Sequence, residues 1–68
     1  MHEAYVILEQ KDYARAERLL TALIEKDNSI PWVWWNRGFA RQELGKIQES
    51  ESDFETAKSL DPSLAEGK

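Results

Sequence analysis

The sequence predicts an all-α chain, on three observations. Apolar residues recur at the three- and four-residue spacings of a helix face, and turn-forming residues divide the chain into helix-length pieces. In addition, the chain maps onto itself in residue type when shifted by 34 positions, half its length of 68 residues. No strand is assigned.

The elements follow in order. Residues 1–10 read as a first helix whose stop signal is weak, since Lys11 stands where a later turn has Gly45. A residue other than Gly in the left-handed conformation costs roughly 1 kcal/mol, so that first turn is expected to differ in shape from the later one. Asp12 can cap a second helix from about Tyr13 to Lys26, in which Ala16, Leu19, Leu20, Leu23 and Ile24 line one face. Asp27-Asn28-Ser29 ends it. Pro31 fits the first turn of a third helix, where its missing N–H costs nothing, and Gly45 can take the conformation that stops this helix after Leu44. A fourth helix from about Ile47 to Leu60 contains no Gly or Pro. Asp61-Pro62 terminates it, because the residue before a proline disfavours the helical region.

Under the 34-residue shift Ala4 falls on Gly38, Tyr5 on Phe39, Tyr13 on Ile47, Leu20 on Phe54 and Ile30 on Leu64. Small residues meet small ones, and large apolar residues meet large apolar ones. Identities are Glu9 with Glu43, Glu17 with Glu51, Asp27 with Asp61 and Ser29 with Ser63. The repeat therefore rests on pattern more than on identity.

Composition narrows the function classes. A chain this short buries only about 60% of its unfolded surface, so its core is thin and regular packing has to compensate. With 41% hydrophobic and 32% charged residues, the composition is that of a folded globular chain. The formal net charge of -4 disfavours a surface that tracks phosphates, which needs clustered Lys and Arg, so no nucleic-acid partner is expected. No apolar run reaches the roughly 18 residues of a membrane span, and a cytoplasmic location is the default expectation. Cysteine is absent, which removes disulfides and thiolate metal sites.

The stretch from Trp34 to Pro62 carries a more specific pattern: Trp34, Gly38 four residues on, Leu44-Gly45, Phe54, Ala57 and Asp61-Pro62. It resembles one unit of the tetratricopeptide repeat family, a helix-turn-helix of 34 residues. The resemblance implies two antiparallel hairpins stacked as a short right-handed α-superhelix across a single domain. Residues 1–30 would then form a first, N-terminally truncated repeat and 31–64 the second, with 65–68 beginning a further helix or tail. It also implies a protein-interaction module rather than an enzyme.

Each motif residue has an expected task. Gly38 lets its helix approach a neighbour closely, Trp34 on the same face covers the gap, and Phe54 and Ala57 meet that face from the last helix. Arg37 and Arg41 depart from the family, which usually places Leu and Tyr there, and Ser50 replaces its Ala. The two arginines need partners, and Glu49, Glu51, Asp53 and Glu55 on the last helix are the candidates. The favoured reading is a solvated acidic face whose ion pairs are worth less than about 1 kcal/mol each, with a charged docking patch as the alternative. These carboxylates lack the Gly-bearing loop and ligand spacing of a calcium site, so no metal is expected. No nucleophile, base and orienting acid stand in a recognisable pattern, and there is no glycine-rich phosphate loop. Neither a catalytic residue nor a cofactor is expected, and His2 reads as a solvated terminus.

In the family, the first helix of each unit lines an inner groove. The residues that map there are Trp32, Trp35, Asn36 and Phe39, with Tyr5 and Leu8 from the first helix and Met1 beside them. Trp32, Trp35 and Phe39 fall at i, i+3 and i+7 and so form one aromatic stripe, which in many helices is core. One groove of this family clamps the C-terminal carboxylate of heat-shock chaperones; of its pattern only Asn36 is present, while Tyr5 and Met1 replace its Asn and Lys. The leading expectation is a module that binds a peptide or helix through this aromatic groove. The alternatives are a self-assembling repeat that buries the same face against identical copies, or an accessory scaffold segment of a larger protein.

Overall fold

The structure is a computed structural model, and it describes residues 12–66. Among them are three α-helices and one short 3-10 helix, with no strand, so the all-α class stands. The expected first helix over residues 1–10, and with it Met1, Tyr5 and Leu8, lies outside the described residues.

Helix α1 spans Tyr13–Lys26 and begins where Asp12 accepts a hydrogen bond from the Arg15 backbone N–H at 3.3 Å, satisfying one of the free donors of the first turn. Helix α2 spans Pro31–Glu43 with Pro31 in its first turn. It ends in a Schellman arrangement: Lys46 N–H donates to Arg41 O at 2.8 Å and Gly45 N–H to Gln42 O at 3.1 Å, with Gly45 at φ 84°. Helix α3 spans Ile47–Leu60, and the 3-10 turn Pro62–Glu66 follows it.

Helix α2 packs between α1 and α3. Both pairs run antiparallel, as the short turns between them require. On one side Arg37 meets Thr21 while Arg41 meets Glu17; on the other Trp35 meets Phe54 while Gly38 meets Ser50. The apolar core lies between α1 and α2, where Ala16, Leu20, Val33 and Ala40 are fully buried and Leu19, Leu23, Ile24 and Ile30 pack around them. Between α2 and α3 the buried positions are instead small or polar: Gly38, Ser50, Asp53 and Ala57.

The 34-residue recurrence extends to local geometry. Helices α1 and α3 both have 14 residues, and Tyr13 and Ile47, their first residues, stand 34 positions apart. Their N-cap residues Asp12 and Lys46 have φ, ψ of -93°, 75° and -88°, 70°. Both C-caps are Asp residues folded alike. Asp27 Oδ1 accepts from Ser29 N–H at 3.0 Å and Ser29 Oγ at 2.6 Å, and Asp61 Oδ1 from Ser63 N–H at 3.2 Å and Ser63 Oγ at 2.7 Å. The Ser29 hydrogen bonds hold the Asp27 carboxyl below its ordinary pKa, since they stabilise the charged form.

Candidate interaction face

The expected aromatic stripe lies on α2, but its members have different neighbours. Trp32 and Phe39 are 40% and 39% exposed. Phe39 also meets Tyr13 of α1 edge to face, with centroids 5.8 Å apart. Trp35 is half-buried and lies against Phe54 of α3 at 4.6 Å, so part of its surface is spent inside the helix pair. Asn36 is half-buried.

The neighbouring tryptophans make different contacts, and Phe54 meets the Gly38 face as expected. The side chain that fills the space beside Gly38 is Phe54, in contact with Trp35: a Cβ at Gly38 would stand 2.8 Å from Phe54 Cε1 and 3.1 Å from Ser50 O. Trp34 is engaged elsewhere. Its indole N–H donates to Asn28 O at 2.9 Å, pinning the turn between α1 and α2, and the Arg37 guanidinium lies 5.0 Å from its ring centroid. That geometry suits a cation–π contact.

The acidic face also differs from expectation, because Asp53 is buried rather than solvated, at 2% exposure. Arg37 donates to it twice, Nε to Oδ2 at 2.9 Å and Nη2 to Oδ1 at 2.8 Å, and Arg41 Nη1 adds a third bond to Oδ2 at 3.1 Å. Glu17 of α1 was not among the candidate partners, yet it accepts from Arg41 Nε at 2.8 Å and from Lys46 Nζ at 3.0 and 3.1 Å. Arg37 Nη1 also donates to Thr21 Oγ1 at 3.2 Å. One polar network thus ties all three helices, and among the described residues no buried side-chain nitrogen or oxygen lacks a partner. Burial raises the Glu17 carboxyl, but the hydrogen bonds and charges of Arg41 and Lys46 outweigh it, and its pKa lies below the ordinary value.

Chemically, Asp53 is occupied by three guanidinium N–H donors, which makes it an anchor. Glu49, Glu51 and Glu55 are exposed on other faces of α3, and among the described residues no group of three potential ligands is placed to hold a metal ion. No described helix is long and apolar enough to cross a membrane. The exposed large apolar side chains among the described residues are Trp32 and Phe39 on α2, and Leu44, Ile47 and Leu60 near helix ends. No family model matches the sequence. Comparison with curated proteins and with solved structures likewise gives no significant match.

Proposed function

We propose that the chain is a tetratricopeptide-like interaction module that binds a peptide or helix of another protein through the α2 face bearing Trp32, Trp35, Asn36 and Phe39. The reading carries with it a fold of stacked hairpins in a right-handed superhelix. Its support is the recurrence of helix length, cap dihedrals and Asp-Ser turns at a 34-residue interval.

The single observation that carries the binding role is the exposure of Trp32 and Phe39 on a helix already packed on two others. Two large aromatics partly exposed on the central helix leave apolar surface that the described residues do not cover, and rigid aromatics are the side chains that anchor protein interfaces. Asn36 between them adds an amide that can fix a peptide backbone.

The test selects binders from a displayed peptide library against the intact chain and measures them again on a Trp32→Ser, Phe39→Ser variant whose melting curve matches the parent. A loss of at least about tenfold in affinity is expected, as for removal of an interface anchor. Unchanged affinity would put the binding face elsewhere. Sedimentation of the parent over a wide concentration range separates the self-assembling alternative, in which the same two substitutions dissolve an oligomer and no peptide competes.

A further inference from the structure

Helix α3 presents a second surface, distinct from the α2 face. A groove of about 550 Å³ is lined by Gln48, Glu51, Ser52, Phe54, Glu55 and Lys58. Moved back by 34 positions, these residues fall on Ala14, Glu17, Arg18, Leu20, Thr21 and Ile24 of α1. Four of those counterparts are where α1 receives α2. Leu20 and Ile24 pack with Val33 and Ala40, Glu17 binds Arg41, and Thr21 binds Arg37. Among the described residues one version of this surface is therefore filled and one is open.

The filled version defines what the open one would take. On α2, Val33, Arg37 and Arg41 follow one another at four-residue intervals along a single ridge, with Ala40 beside them, and the ridge runs antiparallel to α1. In the open version Phe54, half-buried against Trp35 of α2, stands where α1 has Leu20, and Glu51 keeps the carboxylate of Glu17. Glu55 replaces the Thr21 hydroxyl with a second carboxylate. The guanidinium that donates to the uncharged Thr21 hydroxyl would meet a carboxylate at Glu55, so both basic positions of such a helix would face an acid. Lys58 takes the place of Ile24, lying 3.8 Å from Glu55, and its stem can cover apolar surface while its ammonium stays in water.

We infer that this face of α3 docks an antiparallel partner helix carrying an aliphatic residue, basic residues four and eight positions later and a small residue at the seventh. The charge complementarity lies in Glu51 and Glu55, which stand one turn apart opposite that basic pair.

The probe is a synthetic alanine-rich peptide of about 16 residues, long enough to be helical, with Val, Arg, Ala and Arg at i, i+4, i+7 and i+8. The control peptide has Gln for both Arg. The intact chain should bind the first peptide, with amide resonance shifts centred on Gln48 to Lys58. Affinity should fall at least about tenfold for the Gln peptide, and likewise for the parent peptide on a Glu51→Lys, Glu55→Lys variant. Both glutamates are exposed, so helicity of that variant should match the parent. Absence of binding, equal affinity for the charge-reversed variant, or shifts confined to α2 would each overturn the inference. So would an oligomer of the parent that the charge reversal dissolves while the peptide fails to bind, since the face would then belong to a second copy.

Discussion

Arg37 grips Asp53 through two parallel hydrogen bonds, at 2.9 and 2.8 Å, that join α2 to α3. Asp53 stands 34 positions after Leu19, so one apolar position of the α1 pattern is an acid in α3. The arginine completes it. Replacing both members of a buried pair by apolar residues is often nearly neutral, whereas removing one leaves a charge without a partner.

Asp53→Ala is accordingly expected to cost about 3 to 5 kcal/mol, because Arg37 and Arg41 lose a shared, nearly inaccessible acceptor. The double variant Arg37→Leu, Asp53→Leu should lose less than the sum of its single variants by about 1 kcal/mol or more. Denaturant unfolding of the full cycle checks this. Additive losses would mean that the pair is not coupled.

Gly38 lies where α2 and α3 come closest. A β-carbon there would meet the Phe54 ring at 2.8 and 2.9 Å and the Ser50 carbonyl at 3.1 Å. The ring is also in contact with Trp35, with centroids 4.6 Å apart. Gly38→Leu should destabilise by about 1 to 3 kcal/mol or more through overpacking. Gly38→Ala should cost less, because alanine recovers up to about 1 kcal/mol of helix propensity. A thermal melt of the Leu variant that overlays the parent curve would show that the helices have room to spare.

Helix boundaries were legible because the signals that set them are local. Asp12, Pro31, Gly45 and Asp61-Pro62 each act within one turn of their own position, and the helices start and stop beside them. Partners across helices were not legible in the same way. Glu17 lies 24 positions before Arg41, and nothing in the intervening residues couples them. Asp53 sits in an acidic run whose charge suggests solvent, so a reading by polarity places it outside. Its orientation is set by Ser50 and Ala57, small residues at i-3 and i+4 that turn this face of α3 toward α2. The signal that was present is the alignment of Asp53 with Leu19 under the 34-residue shift, together with arginines where the family resemblance leads one to expect Leu and Tyr. Within the candidate site, periodicity placed Trp32, Trp35 and Phe39 on one helix face. It could not reveal that Phe54 claims Trp35, because that depends on how α3 packs.

The tryptophans should consequently respond differently from what adjacency alone implies. Trp35→Ala removes the ring in contact with Phe54 and should cost about 3 kcal/mol, no less than Trp34→Ala, which frees the Asn28 carbonyl and uncovers Arg37. Trp32→Ala, at an exposed site, should change stability by under about 1 kcal/mol. Urea titrations of the three variants provide the comparison. A Trp35 variant as stable as the Trp32 variant would mean that the contact with Phe54 contributes little.

The pH dependence of stability should carry a contribution from Glu17. Its folded-state pKa is lowered, because the attraction of Arg41 and Lys46 exceeds the opposing effect of burial. A lowered folded pKa means that the unfolded chain binds the proton more readily. The Glu17 contribution is therefore present above the ordinary value of 4.5 and is lost as the pH falls below it through the folded value. Glu17→Gln should be less stable than the parent near neutrality, and the gap should narrow on acidification as the parent's carboxyl takes up its proton. Asp27, also lowered, is present in both proteins and shifts the two curves together. Unfolding free energies of both proteins, measured from pH 7 downward, decide the point. A gap that stays constant through this range would mean that Arg41 and Lys46 do not stabilise the ionised form of Glu17, and that the hydrogen bonds joining α1 to the turn at Lys46 serve geometry without adding charge-dependent stability.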